Sequence, residues 1–132
     1  MANVDSPFGL KPVRYVSGAL YNGAVNQYST AAGDATAIFI GDPVTIAASG
    51  TAQTIDGDVY PDVDQAATGN IITGVVVAVK AVTRDSVKHR EASTQRILFV
   101  ADDPNLLFEI QEVSGGTALT ANAIGLNCDF VV

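Results

Sequence analysis

The sequence has no Trp, a single Cys, a single His and a single Met. A lone Cys128 cannot form an internal disulfide, so nothing in the fold is expected to depend on oxidation. A lone His89 limits histidine-based chemistry to one residue, and it stands in the polar run Arg84-Asp85-Ser86-Val87-Lys88-His89-Arg90. A triad would need a nucleophile and an orienting carboxylate brought to it in space. In that setting His89 reads as a solvated loop residue, and Cys128, within the β pattern Leu126-Asn127-Cys128-Asp129-Phe130, reads as a buried structural thiol. Positive charge is scarce: Lys and Arg together number 7 against 14 Asp and Glu, for a net charge of −7. Phosphate backbones repel such a chain, which argues against nucleic acid as its partner. No apolar run reaches the roughly 20 residues of a membrane helix, so no membrane partner is expected either. The opening MANVDSPFGLKPVRYV has no secretory pattern, and folding in a cytoplasm is expected.

Nucleotide and metalloprotease signatures are missing as well: the sequence holds no GxGxxG, GxxxxGK[ST], HExxH or CxxC. The acidic run Asp56-Gly57-Asp58-Val59-Tyr60-Pro61-Asp62-Val63-Asp64 spaces its carboxylates alternately, as a hard cation would require. It fails the EF-hand pattern where Tyr60 and Pro61 stand, and it reads as a solvated acidic loop. No catalytic residue, metal or cofactor is therefore assigned.

What is present is apolar and β-branched. Hydrophobic residues make up 48% of 132 residues and charged residues 16%, enough for one packed domain. Residues 1–12, with Pro7, Gly9 and Pro12, read as an extended N-terminal arm, and residues 13–132 as a single β-rich domain. Phe8 and Leu10 give the arm two large apolar side chains, which either pack on their own domain or clasp a neighbouring subunit. Strands are expected at Val13–Ser17, Ala35–Ile40, Val44–Ile46 and Thr51–Ile55, with Gly41-Asp42-Pro43 and Ala48-Ser49-Gly50 as turns. Ile71–Thr83 is apolar on both faces, as a central strand would be, with Gly74 at a bulge. Arg96–Ala101 and Leu106–Val113 read as a hairpin about Asp102–Asn105, and Leu126–Val132 as a last strand. One short helix is allowed, capped by Thr120 before Ala121–Ile124. The expected fold is all-β, an antiparallel β-sandwich or jelly-roll-like barrel with at most one short helix.

Five of the seven basic residues fall between Lys80 and Arg96, away from the aspartate run. That polarity suits contact with an acidic surface or head-to-tail association.

The segments SPFGLKPVRYVSGALYNG, FIGDPVTI, NIITGVVVAV, FVADDPNLLFEIQEV and AIGLNCDFV together resemble the small head decoration (cement) proteins of tailed bacteriophages. The resemblance covers most of the chain and rests on turns and strands. It implies a β-rich structural protein of the virion that binds the outer surface of the mature head, bridges subunits of the major capsid protein, and associates with itself as a homodimer or homotrimer. It implies no catalysis. Related chains run on past the segment matching Phe130-Val131-Val132, so the last strand or interface is expected to be incomplete here. On this reading the contact residues are Phe8, Leu10, Lys11, Arg14 and Tyr15 in and beside the arm, and Lys80, Arg84, Lys88 and Arg90 in the basic segment. Rival readings are another virion component (a tail, neck or fibre-associated β domain) and a carbohydrate-binding module. The absence of Trp weakens the module, while Tyr15, Tyr21, Tyr28 and Tyr60 keep it open.

Overall fold

A computed structural model describes residues 8–112 and 118–128. Within them the chain is all-β and antiparallel. Its strands are β1 (Lys11–Tyr15), β2 (Asn26–Thr30), β3 (Pro43–Ile46), β4 (Gln53–Ile55), β5 (Asp58–Tyr60), β6 (Val63–Gln65), β7 (Gly74–Val79), β8 (Arg96–Ala101) and β9 (Leu106–Glu109). Ala121–Ala123 forms a 3₁₀ turn after Thr120, whose side chain makes no capping hydrogen bond.

Five strands form one sheet in the order β2-β8-β7-β3-β6. Its two edges come together. Ser29 of β2 donates its N–H to the Pro61 carbonyl at 2.9 Å, and Ser29 and Asp62 form a parallel bridge. The sheet therefore curls into a small barrel-like body, which hides edges that would otherwise pair with other chains. Inside lie Ile38, Val44, Val63, Val76, Leu98 and Val100, each fully buried, with Tyr28 and Val79 packed against them. Burial of each of these aliphatic side chains contributes about 1.5–3 kcal/mol. β7 and β8 are covered on both faces: Val75 and Val76 are buried, as are Ile97 and Leu98.

β1 and β9 form a separate two-stranded ribbon, and β4 and β5 a hairpin. The hairpin turns on Asp56-Gly57, both at positive φ (54° and 91°), the pair that a tight two-residue connection between twisted strands demands.

Several sequence expectations are corrected. Arg96–Ala101 and Leu106–Glu109 do not pair as a hairpin: both sides of β8 are occupied by β2 and β7, so the turn at residues 102–105 hands the chain to β1 instead. Ala35–Ile40 is not a strand; only Ile38 pairs, in an isolated bridge to Arg90. β2 was not expected, because Asn26-Gln27-Tyr28-Ser29-Thr30 is too polar to show an apolar alternation. The bulge in β7 falls between Val76 and Ala78, not at Gly74. Gly74 is needed for a close approach, since a Cβ there would lie 2.6 Å from the Ala101 carbonyl oxygen and from Val100 Cγ1. β1 begins at Lys11, inside the expected arm. At the C-terminal end residues 126–128 are not in a strand, and residues 129–132 lie outside the described residues, as does Val113.

Candidate functional site

The arm is latched to the barrel by its backbone. Leu10 donates its N–H to the Gly41 carbonyl at 2.8 Å, and Gly41 donates in turn to Val76 at 2.7 Å. The approach is only open to glycine on both sides: a Cβ on Gly9 would lie 2.6 Å from the Gly41 oxygen, and Gly41 sits at φ +98°. Leu10 is thereby buried, while Phe8 stays 45% exposed. Between them runs an apolar groove of about 590 Å³, lined by Phe8, Leu10, Pro12, Tyr21, Ile40 and Val77. Lys11 and Glu109, opposite each other in the ribbon, stand at its rim. Arg14 is exposed on β1. Tyr15 is half-buried; its hydroxyl donates to Asn22 Oδ1 at 2.9 Å and its ring lies 6.4 Å from that of Tyr21.

The basic segment divides. Lys80, Arg84 and Lys88 are exposed on the loop between β7 and β8. Ser86 braces that loop by accepting from the N–H groups of Val82 (3.1 Å) and Thr83 (2.8 Å). Arg90, expected at a contact surface, is fully buried. Its Nε donates to the Thr94 carbonyl (2.8 Å) and Thr30 Oγ1 (3.2 Å). Nη1 donates to Asp34 Oδ2 (3.1 Å) and the Thr36 carbonyl, and Nη2 to the carbonyls of Ala31 (2.7 Å) and Asp34 (2.9 Å). Every guanidinium donor is thus used inside the protein, and Arg90 holds two loops together instead of meeting a partner. Arg96 is buried too, donating to the Lys80 carbonyl from Nε (3.2 Å) and Nη2 (3.1 Å).

Groove and basic loop are joined through neighbouring residues. Ile40 lines the groove, and adjacent Phe39 stacks on His89 with ring centroids 4.7 Å apart at 19°. His89, expected in solvent, is half-buried by that stack, next to exposed Lys88. The Ile38–Arg90 bridge fixes the register that sets Phe39 beside His89.

The acidic run is not one solvated loop. Asp56 and Asp58 are exposed on the β4–β5 hairpin, while Asp62 is buried at the barrel seam. Asp62 Oδ2 accepts from Gln53 Nε2 at 3.3 Å, and its buried Oδ1 has no hydrogen-bond partner. Burial raises the Asp62 pKa; the Gln53 hydrogen bond and the nearby Ala31 and Val63 backbone N–H groups oppose the rise, and Asp64 adds to it. Asp64 is raised by burial and by Asp34, with Arg90 pulling the other way. Among the described residues no group of three or more His, Cys, Asp or Glu could hold a metal ion.

Cys128, expected to be buried, is exposed, since no strand encloses it. Tyr15, Tyr21, Tyr28 and Tyr60 are each half-buried. Tyr28 donates to Asp102 Oδ2 at 2.7 Å, and Asn26 Nδ2 donates to both oxygens of the same carboxylate. Burial, then Asp102, push the Tyr28 pKa up to about 12. The Arg90 cage and the Asp102 network left no mark in the sequence, because each joins residues more than 50 positions apart.

The chain matches no family model, no curated protein and no solved structure.

Proposed function

We propose that this protein is a bacteriophage head decoration protein, which binds the outer surface of the mature capsid, bridges major capsid subunits and acts by contact without catalysis. The reading rests first on the sequence resemblance. The observation that carries it further is the amount of large apolar surface left exposed beside the groove: Phe8 (45%), Phe39 (50%), Ile40 (50%) and Leu20 (79%) are all open. Apolar surface of this kind on a small body is the mark of a protein that docks. Lys11 at the groove, Arg14 on β1, and Lys80, Arg84 and Lys88 on the β7–β8 loop are the only exposed cations among the described residues, suited to an acidic shell surface. Many symmetric copies, each burying a modest area, would give the cumulative stabilisation that a cement requires.

The test is cosedimentation of the purified protein with matured, undecorated phage heads, counting copies bound per capsid. Saturation at the number of two-fold or three-fold positions is the expected result. Binding at a few dozen copies or fewer would assign the chain to a tail or neck instead, and no binding would reject the reading. Deleting residues 2–12 should abolish capsid occupancy if the arm is a contact; full occupancy after the deletion removes the arm from the interface.

A further inference from the structure

The β1–β9 ribbon has one guarded edge and one open edge. The outer edge of β1 is covered: Tyr15 donates its N–H to the Ala19 carbonyl at 2.8 Å, and Tyr21 donates to the Val13 carbonyl at 3.1 Å. It also carries Pro12, Lys11 and a bulge at Val13, the devices by which strands refuse new partners. β9, Leu106-Leu107-Phe108-Glu109, has no proline, lysine or bulge, and Leu107 (40% exposed) and the following Ile110 (49%) are open.

The direction of the β9 backbone follows from its neighbours. Val16 donates to Asn105 at 2.8 Å, so in this antiparallel pair Val16 and Arg14 face β9 whereas Tyr15 faces away. Leu107, opposite Arg14, therefore turns its N–H and C=O toward β1, and Phe108 turns both outward. Leu106 also points outward, and its N–H is already used by the Asp103 carbonyl at 3.1 Å. Among the described residues, nothing meets the outward groups of Phe108.

We propose that β9 pairs antiparallel with β9 of a second copy of this chain, about a two-fold axis at Phe108, making a four-stranded sheet β1-β9-β9-β1. This names the surface for the self-association contained in the decoration reading. Hydrogen bonding and charge both select the register. With the axis at Phe108, that residue exchanges both hydrogen bonds with Phe108 of the partner subunit, and the Leu106 carbonyl accepts from Ile110 of the partner subunit. An axis at Leu107 would set Phe108 against the already occupied Leu106 N–H. An axis at Glu109 would oppose two identical carboxylates. At Phe108, Leu107 instead lies beside Glu109 of the partner subunit, and Glu109 keeps Lys11 on its other side. A two-stranded ribbon is marginal by itself, and four strands make it self-supporting. The resulting interface is isologous and closes at two copies.

Sedimentation equilibrium of the full chain under reducing conditions, without capsids, tests this. A dimer is expected. Leu107→Glu places like charges opposite each other twice and should weaken the dimer roughly tenfold. Leu107→Lys alters the same exposed position but faces Glu109 of the partner subunit, and should leave the dimer as tight as the wild type or tighter. A monomer, a trimer, or equal behaviour of the two variants would overturn the proposal. Failure to bind heads would reject the decoration reading without touching this result.

Discussion

Arg90 and Asp34 form an ion pair at 3.1 Å in which the guanidinium is fully buried and the carboxylate is 17% exposed. The pair closes a cage whose other acceptors are Thr30 Oγ1 and the backbone carbonyls of Ala31, Asp34, Thr36 and Thr94. A planar cation with five donors is matched there to oxygens from two loops, one on each side of the Ile38–Arg90 bridge. Lysine, with one ammonium on a flexible stem, cannot reach them all.

Arg90→Ala should therefore leave several buried carbonyls and Asp34 without partners and destabilise the protein by about 3–5 kcal/mol. Arg90→Lys should be less costly but still clearly destabilising. Urea unfolding monitored by circular dichroism gives both values. A loss below about 1 kcal/mol for the alanine variant would mean that the cage contributes little beyond its packing.

The glycine contact between arm and barrel gives a second expectation. Gly9→Ala must push its Cβ into the backbone of Gly41, where neither partner is a flexible side chain. The arm should lift away, exposing Leu10. Faster hydrogen exchange at the Leu10 amide, with the barrel amides unchanged, is the expected signature. Gly41→Ala should do the same and add about 1–2 kcal/mol of strain from its positive φ.

What could be read from the sequence was what alternates locally. Val44-Thr45-Ile46 was legible because its apolar residues recur with period two, and Val75 through Val79 and Ile97 through Ala101 because they run apolar on both faces. The all-β antiparallel class followed from the same signal. β2 was hidden because its stabilisation is polar: Ser29 Oγ donates to the Tyr60 and Pro61 carbonyls, and Thr30 Oγ1 accepts from Arg90. Ala35–Ile40 misled for the opposite reason, being apolar without a strand to pair with. Of the residues expected at a surface, Lys11, Arg14, Lys80, Arg84, Lys88 and Phe8 are exposed, Tyr15 is half-buried, and Leu10 and Arg90 are buried. A cation beside other cations looks solvated in sequence; only the tertiary arrival of Asp34 and the loop carbonyls makes it a core residue.

Tyr28 sets an alkaline limit. Its pKa rises from 10.0 to about 12, so the folded state holds the phenolic proton more tightly than the unfolded chain does. The stability it contributes is complete below about pH 10 and lost as pH climbs toward 12. Tyr28→Phe should lower stability at pH 8 by about 1 kcal/mol, for the hydrogen bond to Asp102. It should also flatten the fall in melting temperature between pH 10 and about 12. A fall as steep as in the wild type would place the alkaline transition on another group.

Asp62 acts at the acid end with the same sign. Its folded-state pKa is raised above 3.8, so its protonated form suits the folded seam and its charged form opposes it. Its contribution is favourable below about pH 3.8 and is lost as pH rises through the higher folded value. When ionised, the carboxylate sits buried with Oδ1 unpartnered, two residues from Asp64 and directly at the Ser29 bridge that closes the barrel. Asp62→Asn removes that charge while keeping the shape and an amide oxygen. It should stabilise the protein at pH 7 by about 1 kcal/mol, or roughly 3–4 °C in melting temperature for a domain of this size, and the gain should shrink as pH falls through the raised folded-state value. Melting curves of both proteins from pH 4 to 8 decide it. Destabilisation by Asn at every pH would mean that the charged carboxylate holds the seam through Gln53, and that burial is the lesser influence on it.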